Sequence, residues 1–193
     1  MARRARATFT RALSPHPIDS QPLTLTLNGL VGGYAWPTDV SARGPAVLLL
    51  GGGEGGVANL LDQATIAGVG IPVLALAYFK APGLPSALRQ IPLEYFRTAI
   101  AWLGRQHQVD PKRVVVVGGS RGGEAALLVA SSFPAMVAGV AAQVPPNVAL
   151  CNFPGTCDTS AWTLHGRPIH YTRQFNETEP SDYPSPRRAP LSF

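Results

Sequence analysis

Leu23-Thr-Leu-Thr-Leu27 alternates apolar and polar positions, Asn28-Gly29 supplies turn chemistry, and a second extended run, Leu30 to Trp36, ends at Pro37. The pattern predicts an antiparallel hairpin at a sheet edge. Ala46 to Leu50 is apolar without interruption, as a strand covered on both faces would be, and it empties into Gly51-Gly-Gly-Glu-Gly-Gly56. Val57, Leu60, Leu61, Ala64 and Ala67 then keep helical spacing, with Gly68 and Gly70 as stops before a second buried strand, Pro72 to Phe79. The cycle repeats. Leu93, Phe96, Ile100 and Leu103 form the inner stripe of a helix, Asp110-Pro111 is the turn into the strand Arg113 to Val117, and a third helix runs from Gly122 through Ala125, Leu128 and Val129 to Phe133-Pro134. Met136 to Val144 reads as one more strand before Pro145-Pro146.

Alternation of this kind implies right-handed crossovers and an α/β fold, a mostly parallel sheet with helices on both faces behind an N-terminal antiparallel hairpin. Beyond Pro146, prolines at 154, 168, 180, 184, 186 and 190 interrupt a polar stretch without apolar period, so no strand is predicted there. The expected organisation is a basic tail over 1–21, one domain over 22–172 and an irregular tail over 173–193.

Composition narrows the class. Apolar residues make up 46% and charged residues 14% of 193, which suits a chain with a core, and no apolar run approaches the roughly 18 residues that cross a bilayer. The formal charge of +5 is nearly supplied by Arg3, Arg4, Arg6 and Arg11, so the body is close to neutral and no nucleic-acid partner is expected. This Arg-rich start carries no acidic residue before Asp19, a faint transit-peptide trait, but no secretory apolar region follows, and the expected location is cytoplasmic. Cys151 and Cys157, the only cysteines, could close a local disulfide or join His165 and His170 at a metal; their spacing matches no zinc pattern, and the expectation is loop thiols and no metal.

The chemistry centres on Gly118-Gly119-Ser120-Arg121-Gly122, directly after a predicted buried strand and before a predicted helix. A serine hydroxyl is a weak nucleophile unless its oxygen is held clear of the backbone, beside a base and near donors for the oxyanion. A sharp strand-to-helix turn supplies that presentation, and glycines two before and two after the serine relieve the crowding it creates. The helix amino end favours developing negative charge. Ser120 is therefore the candidate nucleophile. An earlier strand of the same sheet ends at Gly51 to Gly53, where the second oxyanion donor belongs, so the amides of Gly53 and Arg121 are the candidate oxyanion hole. The glycine-rich stretch matches neither GxxxxGK[ST] nor GxGxxG, which argues against a phosphate-cradling loop. The Arg121 side chain could meet a substrate phosphate or carboxylate, or pair with Glu124.

Gly52-Gly-Glu-Gly-Gly56, Ala75-Leu-Ala-Tyr-Phe79 with Gly83-Leu-Pro85, Ile91-Pro-Leu-Glu-Tyr-Phe96, Gly119-Ser-Arg-Gly-Gly-Glu124 and Ser160-Ala-Trp-Thr-Leu-His-Gly-Arg-Pro168 occur in one order. Together, over roughly residues 22 to 172, they resemble the C-terminal catalytic domain shared by acyl-CoA thioesterases and bile acid-CoA:amino acid N-acyltransferases. The resemblance implies an α/β-hydrolase fold and acyl transfer from a coenzyme A thioester through an acyl-enzyme, with the acyl-CoA as substrate and no cofactor. Mammalian transferases of this family use cysteine, whereas Ser120 points to hydrolysis.

Two departures accompany the resemblance. The larger family members carry an N-terminal β-sandwich for which the stretch before Leu23 is too short, and the family's triad acid and histidine follow two further strands for which this sequence shows no counterpart. C-terminal strands are thus expected to be missing, weak activity is expected, and Met136 to Val144 is expected to form an open edge that invites self-association. Asp158 with His165 or His170 follows Ser120 in triad order, but no predicted strand holds them against the turn. His107, at a helix end, and His16, in the tail, are not candidate bases. A carboxylesterase or dienelactone-hydrolase-like enzyme and a non-catalytic remnant of the fold are the alternatives.

Overall fold

The computed structural model describes residues 14–173. The arginines at 3, 4, 6 and 11 and the expected irregular tail from 174 lie outside them. The chain order is β1 (Ile18–Leu23), α1 (Leu25–Asn28), β2 (Val31–Pro37), β3 (Gly44–Leu50), α2 (Leu60–Gly68), β4 (Val73–Ala77), β5 (Ile91–Pro92), α3 (Leu93–Gly104), β6 (Val109–Gly119), α4 (Arg121–Ser132), β7 (Gly139–Gln143), β8 (Trp162–Leu164) and β9 (Arg167–Pro168).

Six strands form one mixed sheet in the order β1-β2-β4-β3-β6-β7. β4, β3, β6 and β7 are parallel to one another, while β2 is antiparallel to both β4 and β1. Period-two alternation sends Leu48, Leu50, Leu74, Leu76, Val114 and Val116 to one face, under Phe96, Ile100 and Leu103 of α3 and Ala125, Ala126 and Val129 of α4. Leu49, Val73 and Ala75 point to the other face, where they pack with Ala67 of α2. The sequence expectation of an α/β fold with helices on both faces therefore holds.

Several boundaries differ from those expected. The first strand is Ile18–Leu23, not Leu23–Leu27, and it begins inside the stretch expected to be tail. Leu25–Asn28 is a single helical turn that Gly29 ends at φ 68°. The alternation misled because one apolar residue, Leu23, belongs to the strand and the next two face the turn. In α2, Leu60 and Leu61 are exposed, and the buried positions are Gln63, Ala67 and Gly68. The helix starts after Asn59, whose side chain accepts from the Leu61 amide, so Val57 lies outside it. Asp110-Pro111 does not break the strand but sits in an irregular stretch of β6, between its pairings with Gly44 and Ala46.

The stretch beyond Pro146 does contain strands. β8 pairs in parallel with β5 and antiparallel with β9, forming a three-stranded sheet that carries Trp162 into the core. A two-residue connection, His165-Gly166, joins β8 to β9 with both residues at positive φ (52° and 72°). That is the backbone of a primed hairpin turn, and His-Gly between Trp162-Thr-Leu164 and Arg167 was its sequence signal.

The Tyr34 ring stacks on Trp36 at 5.0 Å and meets Trp102 edge-on at 5.3 Å, and its hydroxyl is buried without a partner among the described residues. Burial pushes its pKa up to about 12 from 10.0. Tyr34→Phe removes the uncompensated hydroxyl and is expected to raise unfolding free energy by about 1 kcal/mol at neutral pH. Because the folded pKa is the higher one, the wild type is expected to lose stability as pH rises from 10 toward 12. Urea unfolding at pH 7, 10 and 11.5 checks both: the phenylalanine variant should lack that part of the alkaline loss.

Candidate active site

β6 passes into α4 through one residue, Ser120, at φ 51° and ψ −120°. This is a strained conformation for any residue with a Cβ. The turn closes because its neighbours are glycines: a Cβ on Gly118 would lie 2.2 Å from the carbonyl oxygen of Gly122, and one on Gly122 would lie 2.2 Å from the carbonyl oxygen of Gly51. The second contact seats the start of α4 directly on the loop that leaves β3. Ser120 donates its N–H to the Gln143 carbonyl at 2.9 Å and accepts from the Glu124 amide at 3.1 Å. Its side chain stands exposed, and the hydroxyl bonds to no other described residue.

The β3–α2 loop lies against this turn, with Gly52 closest to the serine: a Cβ on Gly52 would come within 3.5 Å of Ser120 Cβ. Tyr78 anchors the loop by donating its hydroxyl to the Gly51 carbonyl at 2.5 Å. The Gly52 amide is occupied by Glu54 Oε1 at 2.7 Å, and the Gly56 amide by the Phe79 carbonyl at 2.9 Å. Gly53 and Arg121, the two candidate oxyanion donors, have amides that bond to no acceptor among the described residues. A cleft of about 430 Å³ opens beside the turn, lined by Gly51, Gly52, Glu54, Asn59, Gly119 and Gln143 among others.

The Arg121 side chain does not reach solvent. It is 4% exposed and pairs with Glu124 at 3.0 Å, donates from Nη2 to the Cys151 carbonyl at 2.9 Å, and lies 5.9 Å from the Trp162 ring centroid. Glu124 Oε1 accepts from Trp162 Nε1 at 2.7 Å and from the Leu150 amide at 2.8 Å. Of the two roles open to Arg121, the structure has the ion pair with Glu124. Loss of hydration pushes the arginine pKa down and the glutamate pKa up, each opposed by the charge of the other. The contribution of Trp162 and Cys151 to this pair had no signal in the local sequence.

Cys151 and Cys157 form a disulfide, with Cα atoms 5.0 Å apart, so the expectation of loop thiols is corrected. The turn through Pro154 and Gly155 folds the segment back far enough for the bridge.

The four histidines of the chain all fall within the described residues, and none hydrogen-bonds Ser120. His165 is exposed in the β8–β9 turn, with its amide on Glu94 Oε1 at 2.8 Å. His170 and His107 are exposed, and His16 pairs with Asp39 at 3.0 Å. Asp158 is bound by both terminal nitrogens of Arg89, at 2.7 and 3.0 Å, and these bonds hold its carboxyl well below the usual range. The described structure thus brings no acid and histidine pair to the serine.

Residues 91–160 match the family model described as BAAT / Acyl-CoA thioester hydrolase C terminal. Mouse (Mus musculus) acyl-coenzyme A thioesterase 5 is 33% identical over 129 residues, which is 67% of this chain and 30% of the mouse protein. Human (Homo sapiens) acyl-coenzyme A thioesterase 1 is 34% identical over 112 residues, 58% of this chain and 26% of the relative. Human mitochondrial acyl-coenzyme A thioesterase 2 is also 34% identical over 112 residues, 22% of its length. The aligned part spans less than a third of these curated relatives. α3, Ser120, the Arg121–Glu124 pair and the disulfide all lie within the segment, residues 91–160, that matches the BAAT / acyl-CoA thioester hydrolase C-terminal family model.

Proposed function

We propose that the chain is an α/β-hydrolase domain that takes an acyl group from a coenzyme A thioester onto Ser120 and passes it to water. The observation that carries this reading is Ser120 itself: an exposed residue whose hydroxyl has no partner among the described residues, on a strained strand-to-helix turn against the glycine-rich β3–α2 loop. In the reaction, Oγ attacks the thioester carbonyl, the Gly53 and Arg121 amides hold the oxyanion, the C–S bond breaks and the coenzyme A thiolate leaves. Water then attacks the acyl-serine ester and releases the acid. The α4 amino end lowers the energy of the developing anion. With no histidine bonded to Ser120, proton removal depends on solvent and turnover is slow. The relatives' names, acyl-coenzyme A thioesterases, support a thioester over a simple carboxylic ester. A cytoplasmic location belongs to this reading.

Covalent capture tests it. Incubation with an aryl phosphonate is expected to place one adduct on Ser120, read by peptide mass spectrometry. Pre-incubation with acyl-CoA should protect against the adduct better than an aryl ester of the same acyl group. An adduct found elsewhere, or protection by the aryl ester alone, would reject the thioesterase assignment.

A further inference from the structure

The segment closed by the Cys151–Cys157 disulfide touches both halves of the candidate oxyanion hole. On one side, the Cys151 carbonyl accepts from Arg121 Nη2 at 2.9 Å, and Arg121 opens α4 immediately after Ser120. On the other, the Phe153 ring lies against Gly53: a Cβ there would sit 3.2 Å from Phe153 Cε1 and 3.7 Å from Arg121 Cγ. Phe153 is fixed in turn by mutual backbone bonds with Leu88, at 2.8 and 2.9 Å. Cys151 is buried, 1% exposed, whereas Cys157 is half-buried. The cross-link therefore has an inner sulfur that fixes the carbonyl on Arg121 and an outer sulfur nearer to solvent.

We propose that the loop Cys151 to Cys157 is a clamp that sets the separation of the Gly53 and Arg121 amides, with Phe153 as a positioning residue, and that thiol reduction of its disulfide loosens the clamp and slows acylation of Ser120. The proposal rests on the Ser120 reading for its kinetic consequence and on the contacts above for its geometry. Reduction balances as thiol exchange. A small-molecule thiolate attacks Sγ of Cys157, the S–S bond breaks, and Cys151 leaves as a thiolate that takes a proton. A second thiol then displaces Cys157 from the mixed disulfide, giving two cysteine thiols and one oxidised reagent. Without its cross-link, the Cys151 carbonyl is held above the arginine only by local backbone bonds, such as that from the Cys151 amide to the Thr172 carbonyl at 3.2 Å, and has more room to drift. An ångström of drift in an oxyanion donor is a large error for a site of this type.

The test compares the intact chain oxidised, reduced with dithiothreitol, and reoxidised. Reduction is expected to lower the maximal rate of Ser120 phosphonylation by roughly 10-fold, with the half-saturating reagent concentration unchanged, and reoxidation should restore it. The double variant Cys151→Ser/Cys157→Ser should match the reduced protein and ignore dithiothreitol. Phe153→Ala keeps the disulfide and should show a similar loss of maximal rate, which Phe153→Leu largely restores. The ¹⁵N–¹H resonances of Gly53 and Arg121 should shift on reduction while those of Leu74 and Val116 in the sheet stay in place. Equal phosphonylation in both redox states, or unmoved Gly53 and Arg121 resonances, overturns the clamp. Shifted resonances with no Ser120 adduct in either state would uphold the clamp and sink the Ser120 reading instead.

Discussion

Ser120→Ala is expected to abolish covalent capture by the aryl phosphonate while leaving the unfolding midpoint within about 1 °C. The two halves follow from separate observations. Capture needs Oγ, and no other described hydroxyl stands on a strained turn beside unoccupied amides. Stability does not need Oγ, because Ser120 is an exposed residue and its hydroxyl bonds to nothing among the described residues. Acyl-CoA turnover will report less sharply than capture. Catalytic groups that act as a unit are non-additive, and a serine without its base retains mainly what binding and oxyanion stabilisation supply, on the order of 10³-fold over water. Intact-protein mass spectrometry and a thermal melt of the same two samples settle the prediction; an adduct persisting on the alanine variant refutes it.

Glu124→Ala should be among the most damaging single changes for folding. It strips the buried Arg121 guanidinium of its only carboxylate partner among the described residues and leaves the Trp162 Nε1 and Leu150 amides without their acceptor. Breaking a buried pair from one side typically costs about 3–5 kcal/mol, which for a chain of this size lowers Tm by roughly 10 °C. The paired replacement Arg121→Met/Glu124→Leu removes both charges together and should recover a large part of the loss, since the penalty lies in the orphaned charge. Denaturant unfolding of the single and double variants measures the difference. A single variant within 1 kcal/mol of wild type would mean that the guanidinium finds water or another anion.

The parallel core was legible because its signals are local. Uninterrupted apolar runs such as Ala46 to Leu50 and Val114 to Val117 became strands buried within the sheet, and the Leu93, Phe96, Ile100 and Leu103 spacing became the inner face of α3. The strand-to-helix position of Ser120 followed from the same runs. Reading failed where the deciding partner was distant in sequence. Leu60 and Leu61 keep helical spacing yet face outward, because the sheet beneath α2 is met by Ala67 and Gly68. Arg121 is internal because Cys151 and Trp162, at least 30 residues onward, close over it. The disulfide was one of several open alternatives, since spacing alone does not reveal how a loop folds back.

The turn around Ser120 also separates two kinds of evolutionary constraint. Gly118 and Gly122 are held by folding alone: any side chain at either position would strike a backbone carbonyl at 2.2 Å, whether or not the chain catalyses anything. A lineage that had lost its chemistry would keep both glycines. Ser120 is under the opposite pressure, because a Cβ at φ 51° and ψ −120° is strained by on the order of 1 kcal/mol or more and its hydroxyl returns no bond to any described residue. Glycine at 120 would relieve that strain, so neutral drift should move the position toward glycine while its neighbours stay fixed. Across related chains, the residue at 120, and not the glycines that make the motif recognisable, is therefore the one whose retention dates the loss or survival of catalysis.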